Sequence, residues 1–214
     1  MKMTQSDERR GGRRVKPALL GTGALLGLGV ALQLLLGHGT ATAAAEGRED
    51  LIRRGQYLVA LGGCNDCHTP FKMGPNGPEP DMSKMLSGHP EALKMPPAPK
   101  LGNGPWMWAG ASTNTAFAGP WGVSYAPNLT PDSNTGIGQW PTEYIVKAMR
   151  TGRHVGVGRP ILPPMPWQGI GKLTDEDLQA IAAYLKSIPP IKNKVPESVV
   201  ATPPAPRPAA SKGK

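Results

Sequence analysis

Apolar and polar positions along this chain fall into three helical patterns separated by long stretches that keep no period. Between Glu49 and Leu61, the residues Leu51, Tyr57, Leu58 and Leu61 share one face. Glu49 and Asp50 stand where the helix dipole favours negative charge, and Gly62-Gly63 end the helix. Gly55 lets another helix approach that face closely. Pro141 to Thr151 reads as a second helix, with Pro141 in its first turn, Ile145, Ala148 and Met149 inward, and Gly152 as the stop. Thr174 to Ile188 is the most regular. Leu178, Ile181, Ala182 and Leu185 repeat at i, i+3, i+4, i+7, Thr174 with Asp177 resembles a capping box, and Pro189-Pro190 stop the helix.

The stretches between them are rich in proline and glycine. Thr69 to Tyr125 is expected to form irregular loops with short helical turns, part of them wrapped over a bound group. Gly156 to Pro166 reads as a loop stiffened by Pro160, Pro163, Pro164 and Pro166. Before the first helix lies a basic start, Met1 to Lys16, then an apolar run over about 17–37, then small residues ending Ala43-Ala44-Ala45. This is the layout of an export signal, with cleavage expected after Ala45. The apolar run is also nearly long enough to span a bilayer, so a retained membrane anchor stays open. Both readings put residues 46–214 outside the cytoplasm, with 46–195 as one domain. From 196 to 214 the chain turns to Pro, Ala, Ser and Lys, and a disordered tail is expected.

Charge narrows the function classes. The formal net charge is +9, but residues 46–185 carry twelve Lys/Arg and twelve Asp/Glu. The basicity sits in the two ends, and no basic stripe with interleaved aromatics appears, so nucleic-acid binding is not expected. Gly 28, Pro 25 and only 5% aromatics suit a loop-rich domain whose core is completed by a buried group.

That group is indicated by Cys64-Asn65-Asp66-Cys67-His68, which holds both cysteines of the chain. C-x-x-C-H is the spacing of covalent haem c attachment. Two thiols reach the two vinyl groups of one porphyrin edge, and the adjacent imidazole falls beneath the iron. The rival readings are weaker. A zinc site needs more soft ligands than two thiols and one imidazole, and no third cysteine exists. A thioredoxin-like dithiol calls for a βαβ setting that the pattern lacks, and a plain disulfide leaves His68 unexplained. For the sixth iron position the candidate is Met165, in the proline-fixed loop Pro163-Pro164-Met165-Pro166-Trp167. A core-filling role for Met165, or ligation by His89, His154 or another methionine, stays open. Asn128-Leu129-Thr130 is also a glycosylation sequon, read as chance.

With these residues on view, the chain resembles the class I c-type cytochromes, and more closely the bacterial cytochrome c domains that serve periplasmic dehydrogenases. The resemblance rests on Gly62 to Pro70, Ala126 to Asp132, Thr135 to Trp140, Pro164 to Trp167 and Ala183 to Pro190, in that order. It implies an all-α, cytochrome c-like fold around one covalent haem, with the first and last helices crossing near Gly55 and Tyr184. It also implies that the Pro127 carbonyl accepts a hydrogen bond from the His68 ring, that Leu129 packs on the porphyrin, and that Trp140 either reaches a haem propionate through its N–H or is a buried core tryptophan. The expected function is an exported monohaem electron carrier, not an enzyme, with donor and acceptor proteins that include a dehydrogenase or terminal oxidase. The alternatives are a subunit of such a complex and a haem sensor or enzyme with an open sixth site. The 69–125 stretch departs from the minimal cytochrome.

Overall fold

The computed structural model describes residues 45–101 and 104–201. The apolar run at 17–37 and most of the C-terminal tail lie outside them. Helix α1 covers 45–61 and is followed, after two glycines, by the short α2, Cys64–His68. Strands β1 (Phe71–Gly74) and β2 (Gly77–Pro80) form a hairpin, and a 3-10 turn covers Met82–Lys84. Strands β3 (Ala109–Gly110), β4 (Ala116–Gly119) and β5 (Gly122–Tyr125) come next. Helices α3 (Thr142–Thr151), α4 (Trp167–Ile170) and α5 (Asp175–Ser187) complete the helical part. Strand β6 (Val199–Val200) then pairs antiparallel with β5, giving a four-stranded sheet in the order β3-β4-β5-β6.

The expectation of an all-α fold is therefore corrected. Two antiparallel sheets with six strands occupy the stretch read as irregular loop, together with part of the segment read as tail. The strands escape a periodicity reading because none exceeds four residues, too short for a two-residue alternation to stand out. The turns are visible in principle. Pro75-Asn76-Gly77 and Pro120-Trp121-Gly122 close the β1–β2 and β4–β5 hairpins, with Gly77 and Gly122 at φ 116° and 103°.

The helices follow the pattern closely. Thr174 caps α5, its hydroxyl accepting from the Asp177 N–H at 3.2 Å, and Gly152 ends α3 in a left-handed conformation. Their apolar faces meet in one core of Leu58, Val59, Ile145, Leu178, Ile181, Leu185 and Ile188, with Ala180 and Ala182 at the close approaches. Burying each large aliphatic side chain contributes about 1.5–3 kcal/mol before ordering costs. Helices α1 and α5 cross in direct backbone contact. A Cβ on Gly55 would fall on the Ala180 carbonyl and lie 2.8 Å from the Tyr184 Cβ. Arg54 ties the same crossing from outside through Asp177, with Nε to Oδ1 at 2.9 Å. Among the described residues, no helix is long and apolar enough to cross a membrane.

Candidate functional site

Gly62 and Gly63 turn the chain from α1 into α2. The Gly62 N–H donates to the Leu58 carbonyl, and Gly63 takes φ 62° so that α2 can start at once. Helix α2 carries Cys64, Cys67 and His68, with the cysteines three residues apart on one face. Both thiols are free and partly buried. Burial pushes the Cys64 thiol up to about 11, and burial with the nearby Asp66 carboxylate raises Cys67 as well. A redox dithiol or a thiolate–metal site needs the opposite shift. Among the described residues no group of three or more His, Cys, Asp and Glu stands ready to hold a metal ion. Neutral, half-covered thiols on one helix face fit thioether attachment.

His68 is only 5% exposed. Its Nδ1 donates to the Pro127 carbonyl at 2.9 Å, which fixes the tautomer and leaves the lone pair on Nε2. Nε2 has no protein partner among the described residues, yet it is not sealed in. The sole sealed side-chain polar atom without a partner among them is Trp121 Nε1. Burial lowers the His68 pKa, so the ring is held neutral, the form that binds a metal. An oriented, neutral imidazole beside two neutral thiols is the donor set of haem c. Cys64 and Cys67 would hold the porphyrin edge, and His68 Nε2 would hold the iron.

The Pro127 carbonyl is fixed by contacts between segments that lie far apart in sequence. The His68 carbonyl accepts from the Gly88 N–H at 2.7 Å, and the Ala126 carbonyl from the His89 N–H at 2.9 Å. Gly88 lies so close to Ala126 and Pro127 that a Cβ there would come 2.7 Å from the Pro127 oxygen, and its φ is 79°. Asn128 is 3% exposed. Its amide donates to the Ile191 carbonyl at 2.8 Å, and its oxygen accepts from the Thr130 N–H at 2.9 Å. The apparent sequon is thus an internal clamp. Asn193 donates to the carbonyls of Ser87 (2.7 Å) and His89 (2.9 Å) and accepts from the Glu91 N–H (2.8 Å). Asn114, at φ 52°, donates to the Asp66 carbonyl in the middle of α2 (2.7 Å). Gly88 and Asn193 carry no local pattern that marks them. Their role appears only when three distant segments meet.

Leu129 is partly buried against the helical core, and its N–H donates to Leu86. Trp140 is partly buried in the same core and meets the His154 ring edge-on at 4.7 Å. Its carbonyl accepts from Lys186 Nζ at 2.6 Å. Met165 is partly buried just before α4, in a loop tied to β5 by Ser124 Oγ, which donates to the Pro163 carbonyl at 2.6 Å. His89 is a satisfied core histidine. Its Nε2 donates to the Leu93 carbonyl at 3.3 Å, so Nδ1 accepts from Thr115 Oγ1 at 2.9 Å.

Comparison with known proteins agrees with this geometry. The family model described as cytochrome c matches residues 52–189. Similar proteins include a subunit of nicotinate dehydrogenase from Pseudomonas putida, 30% identical over 146 residues that cover 68% of this chain and 9% of that protein. The cytochrome c subunit of the quinone alcohol dehydrogenase of Gluconobacter oxydans is 28% identical over 173 residues, covering 79% and 29%. The cytochrome c subunit of gluconate 2-dehydrogenase from Pantoea cypripedii is 29% identical over 155 residues, covering 72% and 27%. The chain thus spans less than a third of the length of these relatives. With the family match running from the first helix past the last, and the C-x-x-C-H helix set against a carbonyl-oriented histidine, the chain belongs to the cytochrome c family and its cofactor is a covalently bound haem c.

Proposed function

We propose that this protein is an exported monohaem cytochrome that carries single electrons, with Met165 as the sixth iron ligand, and that it serves a dehydrogenase as its electron-transfer subunit. The observation that carries the reading is the buried His68, anchored through Nδ1 and open at Nε2, beside two neutral thiols. Haem iron supplies the one-electron Fe(II)/Fe(III) change. The chain's own residues set its conditions. The Pro127 carbonyl makes the His68 imidazole more basic, which favours the ferric state. The Met165 loop, pinned to β5 through Ser124, offers a thioether that raises the potential and closes the site to outside ligands. Leu129 and Trp140 extend the apolar surface at the site, and the Trp140 N–H is a candidate donor to a propionate.

The dehydrogenase partner is favoured by the relatives, which are named as dehydrogenase subunits. In this reading the cytochrome is a carrier and the partner is the catalyst. A periplasmic location follows from the basic start, apolar run and Ala45 boundary, and residues 17–37 either leave with the signal or hold the protein at the inner membrane. The test is an optical and redox titration of the holoprotein beside Met165→Ala. The variant is expected to show a lower midpoint potential and rapid CO binding when reduced. An unchanged spectrum and no CO binding would place the sixth ligand on another residue.

A further inference from the structure

The sheet offers a surface that the site above does not use. In β4 and β5, Ala118 pairs with Val123 and Phe117 with Ser124, so Ala116, Ala118, Val123 and Tyr125 share one face while Phe117 and Ser124 share the other. Ser124 is bonded to Pro163, two residues from Met165, and Phe117 meets the Trp108 ring edge-on at 5.6 Å. The second face therefore turns toward the methionine loop, and the first turns away from it.

On that first face lie two adjoining apolar clefts, both lined by Ala98, Pro99, Ala118 and Val123. Trp106 and Met107 line one of them and are 79% and 65% exposed. Exposed Trp and Met beside apolar clefts are characteristic of protein interfaces. Along the segment that borders them the charge has one sign, and Glu197, which precedes β6, is paired with Arg159. No Asp or Glu occurs between Glu91 and Asp132, whereas Lys94 and Lys100 are exposed. Such a surface complements an apolar segment flanked by carboxylates.

We infer that this face is the assembly surface for the dehydrogenase subunit, which seats an acid-flanked apolar segment against Trp106 and Met107. The inference rests on the dehydrogenase reading above and names where that partner binds. Because the contact lies on the face turned away from the methionine loop, assembly leaves that loop in place. Trp106 supplies the anchor, since a tryptophan buried at an interface centre dominates its energetics.

The test uses the full-length holoprotein isolated from its own host in mild detergent, with a dehydrogenase subunit identified in the particle by mass spectrometry. Hydroxyl-radical oxidation of Trp106 and Met107 is expected to fall at least tenfold in the particle relative to the released cytochrome. The W106S/M107S variant is expected to lose the dehydrogenase at least tenfold while keeping the parent's spectrum and midpoint potential. Equal oxidation in both states, or full retention of the partner by the double variant, overturns the surface and leaves the dehydrogenase reading intact. If the variant does not fold, the footprint of the parent decides. A wild-type particle with no dehydrogenase subunit overturns both readings. Protection of Trp106 by phosphatidylglycerol vesicles alone, or by self-association of the released chain, overturns the assignment to a second protein.

Discussion

Helices α1, α3 and α5 are joined by aliphatic side chains packed against one another, whereas the 69–125 segment places only Leu86 and part of Met85 in that core and otherwise meets the rest through backbone and amide hydrogen bonds. In the helical part, Leu58, Ile145, Leu178 and Leu185 fill the core. In the 69–125 segment, Thr69, His89 and Thr115 are as buried as any leucine, and each is paired. Packing positions helices to within the tolerance of side-chain shape. Hydrogen bonds position atoms. The segment meets α2 and the Pro127 turn through Gly88, His89 and Asn114, so it acts on the orientation of His68, while the helices supply the stability that holds the whole together.

That division is open to attack from both sides. Gly55→Val forces a branched side chain into the α1–α5 contact and is expected to cost about 3 kcal/mol in chemical denaturation of the holoprotein. A loss below ~1 kcal/mol would mean that the crossing relaxes freely. Gly88→Ala, strained at φ 79° and pressed against Pro127, is expected to cost about 1–3 kcal/mol. It also displaces the Pro127 carbonyl, which weakens the His68 hydrogen bond and raises the midpoint potential. Gly55→Val leaves the potential nearly unchanged, and a reversal of the two potentials would dissolve the distinction. Asn193→Ala strips partners from the Ser87 and His89 carbonyls and is expected to cost about 1–3 kcal/mol.

Acid sharpens the same contrast. Burial holds the His89 pKa below its ordinary value, so the unfolded chain takes up a proton that the folded chain refuses. Its contribution to stability is complete above about pH 6.5 and is lost as pH falls below that, down to the folded pKa. Replacing His89 by Gln should flatten the stability profile between neutral pH and about pH 5. The smallest effect is expected at Arg54→Ala, which removes a half-exposed ion pair to Asp177 and should cost no more than about 1 kcal/mol.

Legibility divides along the same line. Periodicity marks α1, α3 and α5 because their burial comes from side chains, and side-chain type is what a sequence displays. The C-x-x-C-H run is legible because its three residues are adjacent in sequence, whereas the Pro127 carbonyl, whose partner His68 lies 59 residues away, is indicated only by the family resemblance. The strands are not legible, because their four-residue segments carry Gly, Ala and Pro and gain their order from pairing. Asn128 looks like a chance sequon for a related reason. Its hydrogen bonds reach Ile191, 63 residues away, and nothing at the Asn itself records that partner. Gly88 and Asn193 belong to the same class, small or polar residues whose work is done at long range.

The central claim is that Cys64 and Cys67 are thioethers to one porphyrin whose iron is held by His68. Its most direct test is the intact mass of the protein matured in a host with cytochrome c assembly machinery, read after denaturation and thiol alkylation. The predicted result is the mass of the chain plus one haem, with neither cysteine alkylated. A mass equal to the bare chain with both thiols alkylated would contradict it.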